Sequence, residues 1–175
     1  MLVWYNLAMS YKDSFIYSLR QKVGDMRLIT ATVGVFPINA EGKIKMVYAK
    51  QFGYWTGIGG HVELGDSWQS AALNELYEEG GIIADADDLE IFATLSGPGR
   101  IYHYTDGTTQ PFTLCFLCRR WKEELLPTDV EEVDKTEWCD FEEARKRTTD
   151  KRMLLALDAC EEYLKTGKVQ MIIEE

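Results

Sequence analysis

Three glutamates, Glu75, Glu78 and Glu79, stand at i, i+3 and i+4 in a stretch whose pattern predicts a helix over residues 66–79. At about 100° per residue they fall within an arc of roughly 100° and share one face. They also occupy the last turn before Gly80 and Gly81, where the helix dipole disfavours anions. Left in solvent, each like-charge pair costs about a few tenths of a kcal/mol. Crowded and partly desolvated, a pair about 6 Å apart at an effective dielectric near 20 costs roughly 3 kcal/mol. A hard divalent cation, which takes oxygen ligands, reverses that sign. The chemistry on offer is cation binding. The helix alone leaves a solvated acidic face open as the alternative.

The neighbouring elements narrow the choice. Gly53–Gly60 is glycine-rich, and glycines let a backbone approach a ligand and present its amides and carbonyls. The following turn carries Glu63, Gly65 and Asp66, and Asp66 with Gln69 has the pattern of a capping box. Upstream, residues 11–23 predict a helix and 27–38 a strand. The turn Asn39–Gly42 leads to a second strand over 43–50, and the pair reads as a hairpin. Downstream, strands are predicted at 89–95, 101–104 and 111–121, the last two joined across Asp106 and Gly107. A short strand at 138–141 and helices at 141–146 and 150–165 follow, with Gly167 closing the last helix. The tail 169–173 reads as an edge strand. This mixed order predicts an α+β fold, a mixed sheet between helices (an α/β/α sandwich), rather than a regular doubly wound sheet.

The strand, the Gly-Gly loop and the helix with clustered carboxylates resemble the Nudix hydrolase box, G-x5-E-x7-R-E-U-x-E-E-x-G-U with U aliphatic. Gly60, Glu75, Leu76, Glu78, Glu79, Gly81 and Ile82 match it at the right spacing. Two positions depart: Asp66 stands where the family has Glu, and Asn74 where it has Arg. Asn has no charge with which to hold box carboxylates by ion pairing. The resemblance runs over roughly residues 27 to 165. It divides the chain into an N-terminal helical extension (1–26), a Nudix domain (27–166) and a C-terminal tail (167–175). Ser96–Tyr104 followed by Asp106-Gly107 also resembles a bacterial sub-group of the family that carries an N-terminal helix.

What the resemblance implies is a metal-dependent hydrolase. It would cleave the pyrophosphate bond of a nucleoside diphosphate joined to another group, by water attack on phosphorus with Mg²⁺ or Mn²⁺. Glu78 and Glu79 would be principal metal ligands, Glu75 a ligand or the general base, and the Gly60 carbonyl a further oxygen. The catalytic work falls to Glu75 and Glu79. Gly59, Glu63, Asp66, Asn74 and Gly81 would support the box. Glu131 and Glu132, in an acidic loop, are candidates for a base outside it. Phe52, Tyr54 and Trp55 are candidates to stack on a base or ring, and Arg100, His103 and Lys50 are candidates to contact phosphate. His61 is given no role. The other reading, motivated by Asn74 and by Gly57-Ile58 where the family usually has a hydrophobic residue and Pro, is a Nudix-fold domain that binds or senses a nucleotide without turnover.

Composition bounds the partners. With 19 basic and 29 acidic residues the formal net charge is −10. That disfavours polymeric nucleic acid and anionic membranes; the partner the resemblance implies is a small nucleoside diphosphate derivative, and a homodimer is allowed for. Residues 1–9 are apolar but carry no leading basic residue, so they do not read as a signal peptide. Cys115 and Cys118 form a C-x-x-C inside a predicted strand, where residues three apart face opposite ways. Neither a disulfide nor a metal is expected there, and the four cysteines predict a reduced, cytoplasmic protein. Asp85–Glu90 lacks the glycine and bidentate glutamate of a calcium loop and reads as an acidic turn.

Overall fold

The computed structural model describes residues 11–175. Residues 1–10, the first part of the expected N-terminal extension, lie outside the described residues. A 3₁₀ turn (Tyr11–Asp13) precedes α1 (Phe15–Val23), then β1 (Leu28–Pro37), β2 (Ile44–Ala49), β3 (Tyr54–Thr56) and α2 (Trp68–Glu78). There follow β4 (Ile82–Ile83), β5 (Leu89–Ser96), β6 (Tyr102–Tyr104), β7 (Gly107–Cys118), β8 (Glu123–Glu124) and β9 (Val133–Cys139). The chain closes with α3 (Phe141–Arg147), α4 (Lys151–Thr166) and β10 (Gln170–Ile173).

The main sheet is mixed, in the order β1-β7-β5-β10, with β6 folded back on the start of β7. β1 runs parallel to β7, β5 antiparallel to β7, and β10 parallel to β5. Two apolar clusters cover its two faces. Phe36, Phe92, Leu95 and Leu117 pack with Leu157 and Cys160 of α4. Val33, Val35 and Phe116 pack with Leu73 and Leu76 of α2. The sheet therefore lies between helices on both faces, as the mixed element order predicts. Cys115 belongs to one cluster and Cys118 to the other, the consequence of a period of two along β7. All four cysteines are free and buried. Among the described residues no helix is long and apolar enough to cross a membrane.

Two local expectations need correcting. The turn at Asn39 forms, with its amide donating to the Lys43 carbonyl at 3.0 Å. The strands it joins do not make a hairpin: apart from a bridge at Ile38 and Ile44 they part into different sheets. β2 pairs instead with β3 and β9 in a second, antiparallel sheet. β2 is buried almost throughout and β1 from Val35 to Pro37, so where the turn joins them each strand is covered on both sides and takes separate partners. The box helix, for its part, is capped by Ser67 rather than Asp66. Ser67 and Ser70 form the reciprocal capping pair, and the Asp66 carboxylate accepts from the Ser70 hydroxyl at 3.0 Å. A serine one position later satisfies the same orphan amides and leaves the Asp66 carboxylate half-buried beside the end of the glycine loop.

Residues 58–62 run antiparallel along the free edge of β1. Val35 donates to the Ile58 carbonyl (2.8 Å), Val33 to Gly60 (2.9 Å), and Val62 to Ala31 (3.0 Å). A Cβ on Gly59 would stand 2.3 Å from the Val33 carbonyl oxygen, so only glycine permits this approach. α1 is fastened to the same region. Ser14 caps it, and the Phe15 amide donates to the Glu63 carboxylate at 2.7 Å. Buried Arg20 ties its far end to the carbonyls of Gly24 (3.1 Å) and Thr108 (2.6 Å).

Candidate active site

The carboxylates of α2 meet the glycine loop at close range. Gly59 N–H donates to Glu79 Oε2 at 2.8 Å. A Cβ on Gly60 would lie 2.1 Å from Glu75 Oε1, so the Glu75 carboxylate occupies the space a side chain would fill. Glu78 sits one turn on from Glu75, and its backbone carbonyl accepts from the amides of Thr128 and Asp129, both at 2.9 Å. That contact brings the acidic loop before β9 against the end of the helix. Asp129 in turn accepts from the amides of Glu131 (3.0 Å) and Glu132 (2.9 Å), and the Glu132 carbonyl accepts from Lys50 N–H at 2.8 Å. The loop is thus pinned to α2 on one side and β2 on the other.

This crowding has an electrostatic signature. Burial pushes Glu79 up to about 8, against the pull of the Gly59 N–H, and Glu132, Asp129 and Glu78 add to the rise. Glu78 is pushed up to about 7, first by burial and then by Asp129, Glu132 and Asp66. Glu75 lies well above the ordinary carboxylate range because of burial and its neighbours Glu79 and Glu78. Glu132 is raised by burial, with Asp129 and Glu131 adding. A set of oxygen donors whose charges repel one another in this way suits a hard divalent cation. Among the described residues no three carboxylate, imidazole or thiol groups converge closely enough to grip an ion as they stand. The donor set fits in its chemistry, and its side chains would have to close on the ion.

Two cavities meet at the Gly59–His61 segment. The smaller, about 150 Å³, is lined by Glu63, Asp66, Asn74, Glu75, Glu78 and Asp129. The larger, about 480 Å³, runs from Glu79 and Glu132 past Phe52 and Tyr104 to Arg100 and Arg152. That volume suits a drug-sized or nucleotide-sized ligand. The Gly60 carbonyl already accepts from Val33 N–H, which leaves one lone pair in a fixed direction.

The expected site residues divide as follows. Glu75, Glu78, Glu79, Gly59, Gly60, Asp66 and Asn74 come together at the two cavities, with Glu132 joining them from the loop. Glu131 is exposed at the rim of the larger cavity. Glu63 borders the small cavity while holding the start of α1. Gly81 works behind the site: its φ of +67° and the 2.2 Å from a Cβ to the Leu125 carbonyl require glycine. Trp55 does not line the larger cavity. On β3 it faces away from Thr56, edge-on to Tyr48, with Lys135 and Arg147 over its ring. Tyr54 stands behind the wall, its hydroxyl 3.4 Å from Asp150. Of the three aromatics before the glycine pair, the one at the cleft is Phe52, in the turn before β3, stacked on Tyr54. Arg100 does line the cleft, but it is buried and paired with Glu174, and donates to the Thr113 hydroxyl at 3.0 Å.

Four residues had no local signal that marked them. Asp129 shares the acidic loop with Glu132, and it is the backbone bond of its amide to the Glu78 carbonyl that sets it at the end of α2. Arg152, in the first turn of α4, lies 3.6 Å from the Tyr102 ring centroid and donates to Asp150 at 2.7 Å. His61 borders both cavities with its Nε2 unpartnered, and burial, with Arg20 adding, pushes it down to about 4. Lys45 supplies the basic group that the last turn of α2 lacks: buried on β2, it donates to the Gly80 carbonyl (2.7 Å) and pairs with Glu124 (2.7 Å).

The NUDIX domain family model matches residues 28–157. The chain has no significant match among curated proteins. Solved structures of similar fold include the NUDIX domain of Shewanella oneidensis NrtR in complex with ADP ribose. It is 15% identical with a TM-score of 0.64, over 89% of this chain and 99% of that one. They include the Caenorhabditis elegans Ap4A hydrolase, at 19% identity and TM-score 0.58, over 78% of this chain and 99% of that one. The MutT protein of Methanosarcina mazei Go1 is 16% identical with a TM-score of 0.57, over 81% of this chain and 97% of that one.

Proposed function

The chain belongs to the NUDIX domain family of hydrolases, and from that premise we propose that it cleaves the pyrophosphate bond of a nucleoside diphosphate linked to a second group. The observation that carries this reading is the Glu75 carboxylate seated in the space left by Gly60, with Glu79 on the Gly59 amide and Glu78 beside them. The assignments of individual residues are part of the proposal. Glu75, Glu78 and Glu79, with the remaining lone pair of the Gly60 carbonyl, would hold Mg²⁺ or Mn²⁺. Bound there, such an ion neutralises the diphosphate and acidifies a water.

The chain's own residues do the rest. Glu132 reaches the junction of the two cavities from outside the box and has a raised proton affinity, which suits a general base. Glu131 is too exposed for that role. Phe52 and Tyr104 offer ring faces to a base. His61, neutral at ordinary pH, offers a buried nitrogen to a phosphate or ribose oxygen. Arg152 and Arg100 shape the far end of the cleft. A nucleotide-derived ligand also follows the similar structures, one of which binds ADP ribose. The free, buried thiols accord with action in the cytoplasm, and association of two copies belongs to the same reading.

A panel of nucleoside diphosphate derivatives, incubated with Mg²⁺ and with Mn²⁺ and read for released phosphate products, tests it. Turnover that falls about 10³-fold in Glu79→Gln is the expected result. The second reading, nucleotide binding without turnover, rests on Asn74, which borders the small cavity where the family carries Arg. Calorimetric binding with no product at saturating metal, and hydrolysis gained in Asn74→Arg, would replace the first reading with the second.

A further inference from the structure

Three lysine or arginine side chains are buried among the described residues: Arg20, Lys45 and Arg100. Lys45 pairs with Glu124 and Arg100 with Glu174. Arg20 pairs with no carboxylate among the described residues. Its Nη1 donates to the carbonyls of Gly24 and Met26, and its Nη2 to that of Thr108 at 2.6 Å. These bonds use three of the five N–H groups of the guanidinium and bring no negative charge. Nε is buried and unpartnered. Asp106, two residues before Thr108, takes the Tyr11 hydroxyl instead. A buried cation is ordinarily matched by an anion, because leaving it unmatched in a low dielectric is costly.

The unmatched charge borders the larger cavity. Its place there is built: a Cβ on Gly107 would stand 2.7 Å from the Arg20 Cζ, so the guanidinium fills the space a side chain would take. The two other arginines of the cavity wall are both spent, Arg100 on Glu174 and Arg152 on Asp150. α1 also precedes residues 28–157, which the family model matches, so this cation is added from outside the matched domain. We propose that the ligand supplies the missing anion: α1 is part of the binding site, and Arg20 holds a phosphate group of the ligand in the larger cavity. The inference rests on the reading of the cleft as a site for nucleoside diphosphate derivatives, and it names a residue that offsets the repulsion of Glu79 and Glu132 for such a ligand. Because Nε lies below the surface, what the cavity receives from Arg20 is its charge, which salt screens little at a buried site. The phosphate is either that of the diphosphate or one carried by the group linked to it.

Calorimetry on the full chain with Mg²⁺ tests this with probes that lack a cleavable pyrophosphate: α,β-methylene-ADP, ribose 5-phosphate and the uncharged adenosine. Arg20→Gln keeps an amide for the carbonyls and removes the charge, and should weaken an anionic probe about tenfold. Arg20→Lys keeps the charge and should stay within about threefold of wild type. Adenosine should bind all three proteins alike. A loss confined to α,β-methylene-ADP assigns the phosphate to the diphosphate, and a loss for ribose 5-phosphate assigns it to the linked group. Anionic probes unmoved in Arg20→Gln overturn the proposal, as does adenosine weakened equally, which would make Arg20 a structural tie alone. A wild type that binds neither anionic probe at millimolar concentration overturns it too. The wild-type chain gives a test that needs no folded variant: the Arg20 Nε–H resonance should shift with the anionic probe and stay still with adenosine, and a resonance still with both anions overturns the proposal. None of the probes is turned over, so hydrolysis of the derivative panel and the anion seat can fail separately.

Discussion

In the absence of divalent cation the site should hold the fold back, and neutralising one carboxylate should release it. Glu79 is buried, and its affinity for a proton is raised from an ordinary 4.5 to about 8. Below about 4.5 the carboxyl is protonated in both folded and unfolded chains and stability is unaffected. As pH rises from there the unfolded chain ionises first, and stability falls until the folded carboxyl also ionises near 8. At about 1.4 kcal/mol per tenfold in proton affinity, the ceiling on this loss is about 5 kcal/mol. Water entering beside the charge reduces it, and about 2 kcal/mol is the working figure for one residue. Glu79→Gln keeps an oxygen for the Gly59 amide and removes the charge. At pH 9 in EDTA the variant should therefore melt higher than wild type by about 5 °C, and at pH 5 the two should coincide. Added Mg²⁺ should raise wild type toward the variant and raise the variant, which keeps Glu75 and Glu78, by less. Denaturant titration at the two pH values, with and without metal, measures all of this. A variant less stable than wild type at pH 9 in EDTA, or a wild type whose stability is flat from pH 5 to 9, would refute the electrostatic account.

Gly60→Ala would place a methyl 2.1 Å from Glu75 Oε1, so the fold should persist while turnover drops at least about tenfold through displacement of that carboxylate; steady-state kinetics beside circular dichroism would show it. Lys45→Met removes the buried cation at the end of α2, and should cost about 2 kcal/mol in denaturant unfolding because the Gly80 carbonyl loses its donor.

The box and its helix were legible in the sequence because their signals are local. Three glutamates at i, i+3 and i+4 share a helix face whatever surrounds them, and Gly-Gly before a helix marks a close backbone approach. Cys115 and Cys118 facing opposite cores follows from strand period alone. The same local logic misplaced the cap by one residue, since Asp66 and Ser67 both suit it and Ser70 decides between them. It also read β1 and β2 as a hairpin, because a good turn says nothing about which sheet each strand then joins.

The rest of the site depended on contacts between residues far apart in the chain. Trp55 and Phe52 are equally aromatic, and only the pairing of β3 with β2 turns the first away and leaves the second at the cleft. Glu132 and Asp129 carry the same charge as the other acidic residues of the chain; two amides on the Glu78 carbonyl bring them to the helix end. Arg152 arrives from α4 and Lys45 from β2, neither with any mark in its own segment. The sequence by itself determined the donor chemistry and its phase on one helix, because both depend on residue type and a fixed rise per residue. Which side chains border the cleft, which are spent on structural pairs, and which cation steadies the acidic helix end were decided by tertiary packing, where burial and distance are properties of the whole chain.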